Sequence, residues 1–235
     1  MRIGTAGWAI PRQTAERFPA EGTTLERYAA RFGCAEINST FHRSHRASTF
    51  ERWAASVPEG FRLSVKVPKT ITHQAKLAGC GELVRAFLGE IAPLGDWRGP
   101  LLVQLPPSLA FDVEVAATFF AQLPRPAVCE PRHASWFTEE ADALLAGWEI
   151  GRAAADPQLH EGAARPGGWP GLAYFRLHGS PRTYWSSYEP DALLLWAERV
   201  RLAHANAGET WVIFDNTAGG AAAANALDLA ALLGA

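Results

Sequence analysis

The apolar positions of this chain alternate between two periods. Short stretches that are continuously apolar or apolar at every second position recur at residues 3–8, 34–38, 61–67, 100–105, 127–130, 149–155, 172–178 and 210–214. In 61–67, Leu63, Val65 and Val67 alternate with Ser64 and Lys66, which is a strand pattern. Between these stretches, apolar residues fall three and four apart, as on one face of a helix. Leu25, Tyr28 and Ala29 predict a helix over 24–31, with Thr24 as its cap. Phe50, Trp53 and Ala54 predict one that starts at Ser48 or Thr49 and stops at Pro58. Leu83, Phe87 and Ile91 predict a helix over 81–92. Val115, Phe119 and Leu123 predict one capped by Asp112. Further helices are expected at 138–146, at 190–205 with Leu194, Trp196, Ala197 and Val200 inward, and at 221–233.

One stretch breaks the rhythm. Residues 162–171, Gly-Ala-Ala-Arg-Pro-Gly-Gly-Trp-Pro-Gly, exclude a regular helix and read as a loop in place of the sixth helix. The alternation predicts a single α/β domain over 1–235. Its expected architecture is a TIM-type (β/α)8 barrel with the sixth helix short or replaced by that Gly/Pro-rich loop. A doubly wound open sheet is the rival, and no glycine fingerprint follows the first strand to favour it. Either architecture puts chemistry at the carboxyl ends of the strands.

Composition narrows the function classes. A net charge of −2 excludes a protein that coats nucleic acid by charge alone, though a local basic groove stays open. The three cysteines, Cys34, Cys80 and Cys129, have no metal-motif spacing, and their odd number is no disulfide framework. They read as core thiols in a reducing compartment. The chain opens directly on the first strand with no basic-then-apolar leader, and no apolar run approaches about 20 residues. The expectation is a cytoplasmic protein with no membrane partner.

Several predicted strands end in charge. Glu36 and Asn38 share one side of the second strand, and Arg176 and His178 one side of the seventh. Lys66, Gln104, Glu130 and Asp215 also stand at strand ends, with Arg132 and Asn216 just beyond. Lys66, Arg132 and Arg176 beside three carboxylates favour an anionic ligand group, because Arg binds carboxylate or phosphate through two hydrogen bonds. A carboxylate beside such cations stays ionised and suits a base. The loops 178–180 and 217–220 offer a further seat for phosphate at a helix start. His73, His133 and His178, with Glu36, Glu130, Asp156 or Asp215, form a lesser alternative as divalent-metal ligands, which the neighbouring cations oppose. No cofactor is expected. Trp8, Trp136 and Trp185 follow strand ends and could wall a pocket, whereas Trp53, Trp148 and Trp196 read as core. His42, His45, His160 and His204 read as surface or loop residues.

The blocks Gly4-Thr-Ala-Gly-Trp8, Glu36-Ile-Asn-Ser-Thr-Phe-His-Arg43, Ile71-Thr-His73, Gln104-Leu-Pro-Pro107, Glu130-Pro-Arg-His-Ala-Ser-Trp136, Arg176-Leu-His-Gly179 and Phe214-Asp-Asn216 resemble, in order and over nearly the whole chain, those of the DUF72 (YecE-like) family. The resemblance implies a TIM-type barrel and brings no established activity. Relatives commonly carry Ser at Ala6, Tyr at His42 and Asn at Asp215, which moves Asp215 from catalysis to binding.

The resulting expectation is an enzyme acting on a small anionic substrate by acid/base chemistry. Glu130 or Glu36 would be the base and His178 the acid or donor. Asn38, Lys66, His73, Gln104, Arg132, Arg176, Asp215, Asn216, Trp8 and Trp136 would bind. The alternatives are a metal-assisted phosphodiesterase and a module for single-stranded nucleic acid. Substrate, reaction and oligomeric state stay open.

Overall fold

The computed structural model describes residues 1–234. In chain order the elements are β1 (Arg2–Thr5), α1 (Thr24–Ala29), β2 (Cys34–Ile37), α2 (Ala47–Ala55), β3 (Arg62–Lys66), α3 (Gly81–Ile91), β4 (Arg98–Gln104), α4 (Val113–Phe120) and β5 (Ala127–Glu130). Then follow α5 (Glu139–Gly147), β6 (Ile150–Arg152), β7 (Ala154–Asp156), β8 (Gly167–Gly168), β9 (Leu172–Leu177), α6 (Pro190–His204), β10 (Glu209–Phe214) and α7 (Ala222–Leu233). The fold is mixed α/β, with parallel sheets joined through helices.

The strands form two sheets, β1-β10-β9-β7 and β2-β3-β4-β5-β6-β8, rather than one closed ring. Among the described residues, only the short β8 runs antiparallel to its neighbour. The sheets approach each other at two seams. At the first, Ala6, just past β1, makes a single bridge to Glu36 of β2, with Gly7 N donating to Glu36 O at 2.8 Å. The Tyr28 hydroxyl of α1 fills the missing ladder, accepting from Thr5 N at 2.7 Å and donating to Cys34 O at 3.1 Å. At the second seam the single strand expected over 149–155 breaks at Ala153. Its first half, β6, pairs with β5, and its second half, β7, pairs with β9.

Most other elements follow the pattern of the sequence to within one or two residues, but the first strand ends at Thr5 rather than Trp8, and α4 ends at Phe120, short of Leu123. The first helix is capped by Thr23 rather than Thr24, because Glu26, three residues on, closes the capping box. Asp112 caps as expected, and Thr138, expected inside the fifth helix, caps it instead. The stretch 162–171 holds no helix. It is pinned by a half-buried clamp in which Arg152 Nε and Nη2 donate to the Asp142 carboxylate at 2.7 and 3.0 Å, while Gly168 N donates to Asp142 Oδ1 at 3.0 Å. Two helix faces are turned slightly from expectation. Val84, not Leu83, faces inward on α3, and Leu193, not Leu194, on α6. Trp148 is also at the surface instead of in the core.

The strands are buried on both faces, so the molecule has two cores. The outer one lies between sheets and helices and includes Ile37, Val65, Val103, Phe175 and Phe214 against Phe50, Phe87, Phe119 and Trp196. The inner one joins the two sheets through Cys34, Leu102, Val128, Tyr174, Trp211 and Ile213. Tyr174 and Trp211 stack there with ring centres 5.9 Å apart. A Cβ on Gly99 would lie 2.5 Å from the Trp211 ring, so only glycine leaves the indole its room. Cys34, Cys80 and Cys129 are all buried free thiols. Among the described residues, no helix is long and apolar enough to cross a membrane.

Candidate functional site

Period two along the strands carries the inner core into a polar layer above it. Val128 is followed by Glu130, Cys34 by Glu36 and Asn38, Ile213 by Asp215, Ser64 by Lys66, and Tyr174 by Arg176 and His178. The apolar plug beneath thus gives way to a cluster of charge at the carboxyl ends. Glu36, Glu130, Arg176 and His178 are wholly buried there, and Asp215 nearly so.

Arg176 is the hub. Its Nε and Nη2 donate to the two oxygens of Glu36 at 3.0 and 2.7 Å, a bidentate pair. Nη1 donates to Glu130 Oε2 at 2.6 Å, and Nη2 also donates to Asp215 Oδ2 at 2.8 Å. Tyr174 donates its hydroxyl to Glu36 Oε2 at 2.9 Å and lies 3.0 Å from Ser64 Oγ. Arg132 Nη2 donates to Glu130 Oε1 and lies 3.0 Å from His178 Nε2. Nε2 is therefore the natural acceptor, leaving the Nδ1 hydrogen for Asp215 Oδ2 at 3.0 Å, a tautomer inferred from the donors around the ring. Glu130 Oε1 is 3.2 Å from the same Nε2, so a protonated His178 has an acceptor at each nitrogen. Burial of this many charges is tolerable only because each is paired.

The electrostatics follow from that pairing. Burial alone would raise Glu130, but Arg132 and Arg176 outweigh it and hold its carboxyl well below the usual range. Asp215 is lowered in the same way, with Arg176, His178 and Lys66 overcoming burial. Arg176 is raised well above its ordinary value, since the three carboxylates outweigh its burial. Tyr174 is driven up by burial and by Glu36, which keeps its hydroxyl a donor. Lys66 is lowered by burial and by Arg176, only partly offset by the acids. Among the described residues, Lys66 is the one cation of the cluster with no carboxylate within 4.0 Å, the reach that defines the ion pairs of Arg132 and Arg176. Its Nζ sits 4.3 Å over the Phe41 ring.

The structure brings together Glu36, Asn38, Lys66, Glu130, Arg132, Arg176, His178 and Asp215. Asn38 Nδ2 donates to Asp215 Oδ1 at 3.4 Å, and its own Oδ1 is buried without a donor. His73 stands at the edge, on a turn over Thr70–Gln74, its ring 5.0 Å from Phe41. Gln104 pairs in register with Glu130 and turns its amide to Leu105 O at 3.1 Å. Two expected binding residues point elsewhere. Trp136 is buried in the outer core, its Nε1 donating to Leu109 O at 3.0 Å. Asn216 is buried and donates to Ser186 O and Asn225 Oδ1 at 2.9 and 2.8 Å. The predicted phosphate seat between 178–180 and 217–220 is filled by protein. Ala218 N donates to Tyr184 O at 3.0 Å, and a Cβ on Gly219 would lie 2.5 Å from Trp185 O.

Segment 179–188 covers the cluster. Tyr184 meets the His178 ring edge to face at 5.4 Å, and Tyr188 ties the segment down by donating to Asp156 Oδ2 at 2.6 Å. Two cavities flank the fold. The larger, about 910 Å³, lies on the outside where the sixth helix is missing, lined by Arg165, Trp169, Phe175 and Leu202 among others. None of the cluster's residues lines it. The smaller, about 380 Å³, opens at the mouth beside Asn38 and is lined by Trp8, Trp53, His45 and Arg43. His45 and Trp53 carried no sequence signal for this place, since one reads as surface and the other as core. Tyr174 and Ser64 did carry one, two residues before Arg176 and Lys66. Among the described residues, no group of three His, Cys, Asp or Glu side chains could hold a metal ion. The Arg176 guanidinium occupies the point where Glu36, Glu130 and Asp215 converge.

The family model for "Protein of unknown function DUF72" matches residues 2–235. The UPF0759 protein YecE of Escherichia coli K12 is 36% identical over 104 residues, 44% of this chain and 37% of that protein. The match thus spans little more than a third of that curated relative. A DUF72 family protein from Enterococcus faecalis V583 superposes with a TM-score of 0.85 at 23% identity, covering 100% of this chain and 95% of that one. One from Thermotoga maritima MSB8 gives 0.81 at 26% identity, covering 99% of each chain.

Proposed function

The chain belongs to the DUF72 family, and on that premise we propose that it is an enzyme acting on a small anionic substrate at the carboxyl ends of its strands. The observation that carries this reading is Lys66. It is a partly buried cation without a carboxylate partner, set beside a cluster in which every other charge is matched. A fold that buries three acids and three bases gains little stability from leaving one base unmatched, but it gains a seat for an incoming anion. On the same reading the two sheets are halves of one (β/α)8 ring, and the protein works in the cytoplasm.

The roles divide by what each side chain has free. Both oxygens of Glu36 are engaged by Arg176 and Tyr174, and Glu130 is held by Arg132, Arg176 and His178. These two acids therefore fix the geometry of Arg176 and His178. His178 is the proton carrier, with Asp215 orienting Nδ1 and Glu130 facing Nε2. Lys66 binds the anion, and Arg132, partly exposed, stabilises charge that develops near Nε2. Access to His178 requires segment 179–188 to lift. Engagement of the acids by Arg176 also favours this reading over metal-assisted phosphodiester cleavage, which needs free carboxylates.

A thermal-shift screen of phosphates and carboxylates against wild type and Lys66→Met tests the reading. At least one anion should stabilise wild type and lose about tenfold to a hundredfold in affinity in the variant. Equal shifts in both proteins, or none in either, would count against it.

A further inference from the structure

The cavity of about 380 Å³ at the mouth is not used by the chemistry above. Its lining includes Trp8, Trp53, His45, Asn38, Ser39 and Arg43. Trp8 and Trp53 meet edge to face with centres 5.1 Å apart, and His45 packs on Trp53 at 5.3 Å. Both indoles are half-buried, so each keeps an open side. Such a wall suits a flat, apolar group better than water or a bare ion.

The cavity is joined to the proposed anion seat by a single turn of chain. Asn38 and Ser39 line the cavity. Phe41, at the far end of the turn Ser39–Phe41, carries the Lys66 ammonium on its ring. Thr40, between them, donates to Lys66 O at 2.6 Å, which locks turn and lysine together. A second, independent observation lies in the floor. Asn38 Nδ2 is committed to Asp215, so the amide cannot be turned over without setting oxygen against oxygen, yet Oδ1 is buried with no donor. A buried acceptor left open beside a cavity is a place where a ligand or its bound water completes a hydrogen bond.

We propose that this cavity is a subsite for a planar ring, and that the substrate is an anion carrying such a ring, the anion on Lys66 and the ring against Trp8 and Trp53. The inference rests on the anionic-substrate reading and narrows its substrate class. Isothermal titration of the full chain with phenyl phosphate and with methyl phosphate tests it, because the two share charge and differ in the ring. Wild type should bind phenyl phosphate about tenfold more tightly. In Trp8→Ala that ratio should fall to about two or less, and in Trp8→Leu, which keeps apolar bulk in case the alanine variant fails to fold, it should fall as well. Equal affinity of wild type for the two phosphates would overturn the ring subsite and leave the anion site standing. A preference that survives in folded Trp8 variants would overturn it too. Binding of neither phosphate would overturn the anionic-substrate reading and the subsite together.

Discussion

Replacing Arg176 by Met removes the positive charge that Glu36, Glu130 and Asp215 share while keeping most of the side-chain volume. Breaking a single buried ion pair in this way costs about 3–5 kcal/mol, because the surviving charge is left in a low-dielectric site. Glu130 keeps Arg132 and Asp215 keeps Lys66 nearby, so three carboxylates do not triple the cost. At about 2–4 °C per kcal/mol for a chain of this size, the expected loss in Tm at pH 8 is about 6–20 °C. The pH dependence gives a sharper test. In wild type, Glu130 and Asp215 have lowered values, so their stabilisation is complete above the unfolded-state carboxylate range and is lost as pH falls through the folded values. Burial is the largest single influence on both carboxyls, and without Arg176 less charge opposes it, so in the variant the folded values are expected to move above the unfolded ones. Such groups destabilise once pH exceeds the unfolded value, and the penalty is complete above the folded one. The deficit of Arg176→Met relative to wild type should therefore be largest near pH 8 and shrink toward pH 5. Urea unfolding of both proteins at pH 5, 6.5 and 8 measures it. A deficit under about 1 kcal/mol at pH 8, or one that grows toward acid, would refute the hub role.

Three further outcomes follow from the same geometry. Lys66→Met should raise Tm by about 2 °C in differential scanning fluorimetry, because a lysine whose protonated form is disfavoured by burial and by Arg176 weakens the fold at neutral pH. Tyr174→Phe removes the donor to Glu36 Oε2 and should cost about 1.5–3 kcal/mol in urea unfolding, while a loss below about 0.5 would show that the hydroxyl is not needed to hold Glu36. Gly99→Ala should cost about 1–3 kcal/mol by the same assay, since its Cβ would meet the Trp211 ring at 2.5 Å, and a neutral effect would mean that the inner core repacks freely.

Much of the architecture was legible because both periods were strong. Strands ending in Lys66, Gln104 and Glu130 announced where charge would gather, and the Gly/Pro stretch 162–171 correctly read as a gap among the helices. The two seams were not legible. One depends on the Tyr28 hydroxyl reaching from a helix into the space between β1 and β2, and the other on a break at Ala153 inside an unremarkable apolar run. Neither leaves a pattern in the sequence, because both are settled by distant partners. The candidate site was legible as a set of charges but not as a division of labour. Sequence suggested Arg176 as an anion clamp, whereas packing spends four of its five N–H donors on three acids and leaves Lys66 as the open cation. Trp136 and Asn216 stood in the right blocks, yet the backbone turns them to Leu109 and Asn225. Period two could have predicted Tyr174 and Ser64. Nothing local could have placed Trp53 and His45 at the mouth, where α2 and the turn before it bring them beside Trp8.

The proposed chemistry depends on the mouth seating a small anion on Lys66. A crystal structure of the full chain grown with inorganic phosphate tests it most directly. An ordered phosphate is expected, with an oxygen about 2.8 Å from Lys66 Nζ, beside the Asn38–Phe41 turn. An ordered phosphate only elsewhere, or a mouth that stays free of anion at saturating phosphate, would contradict it.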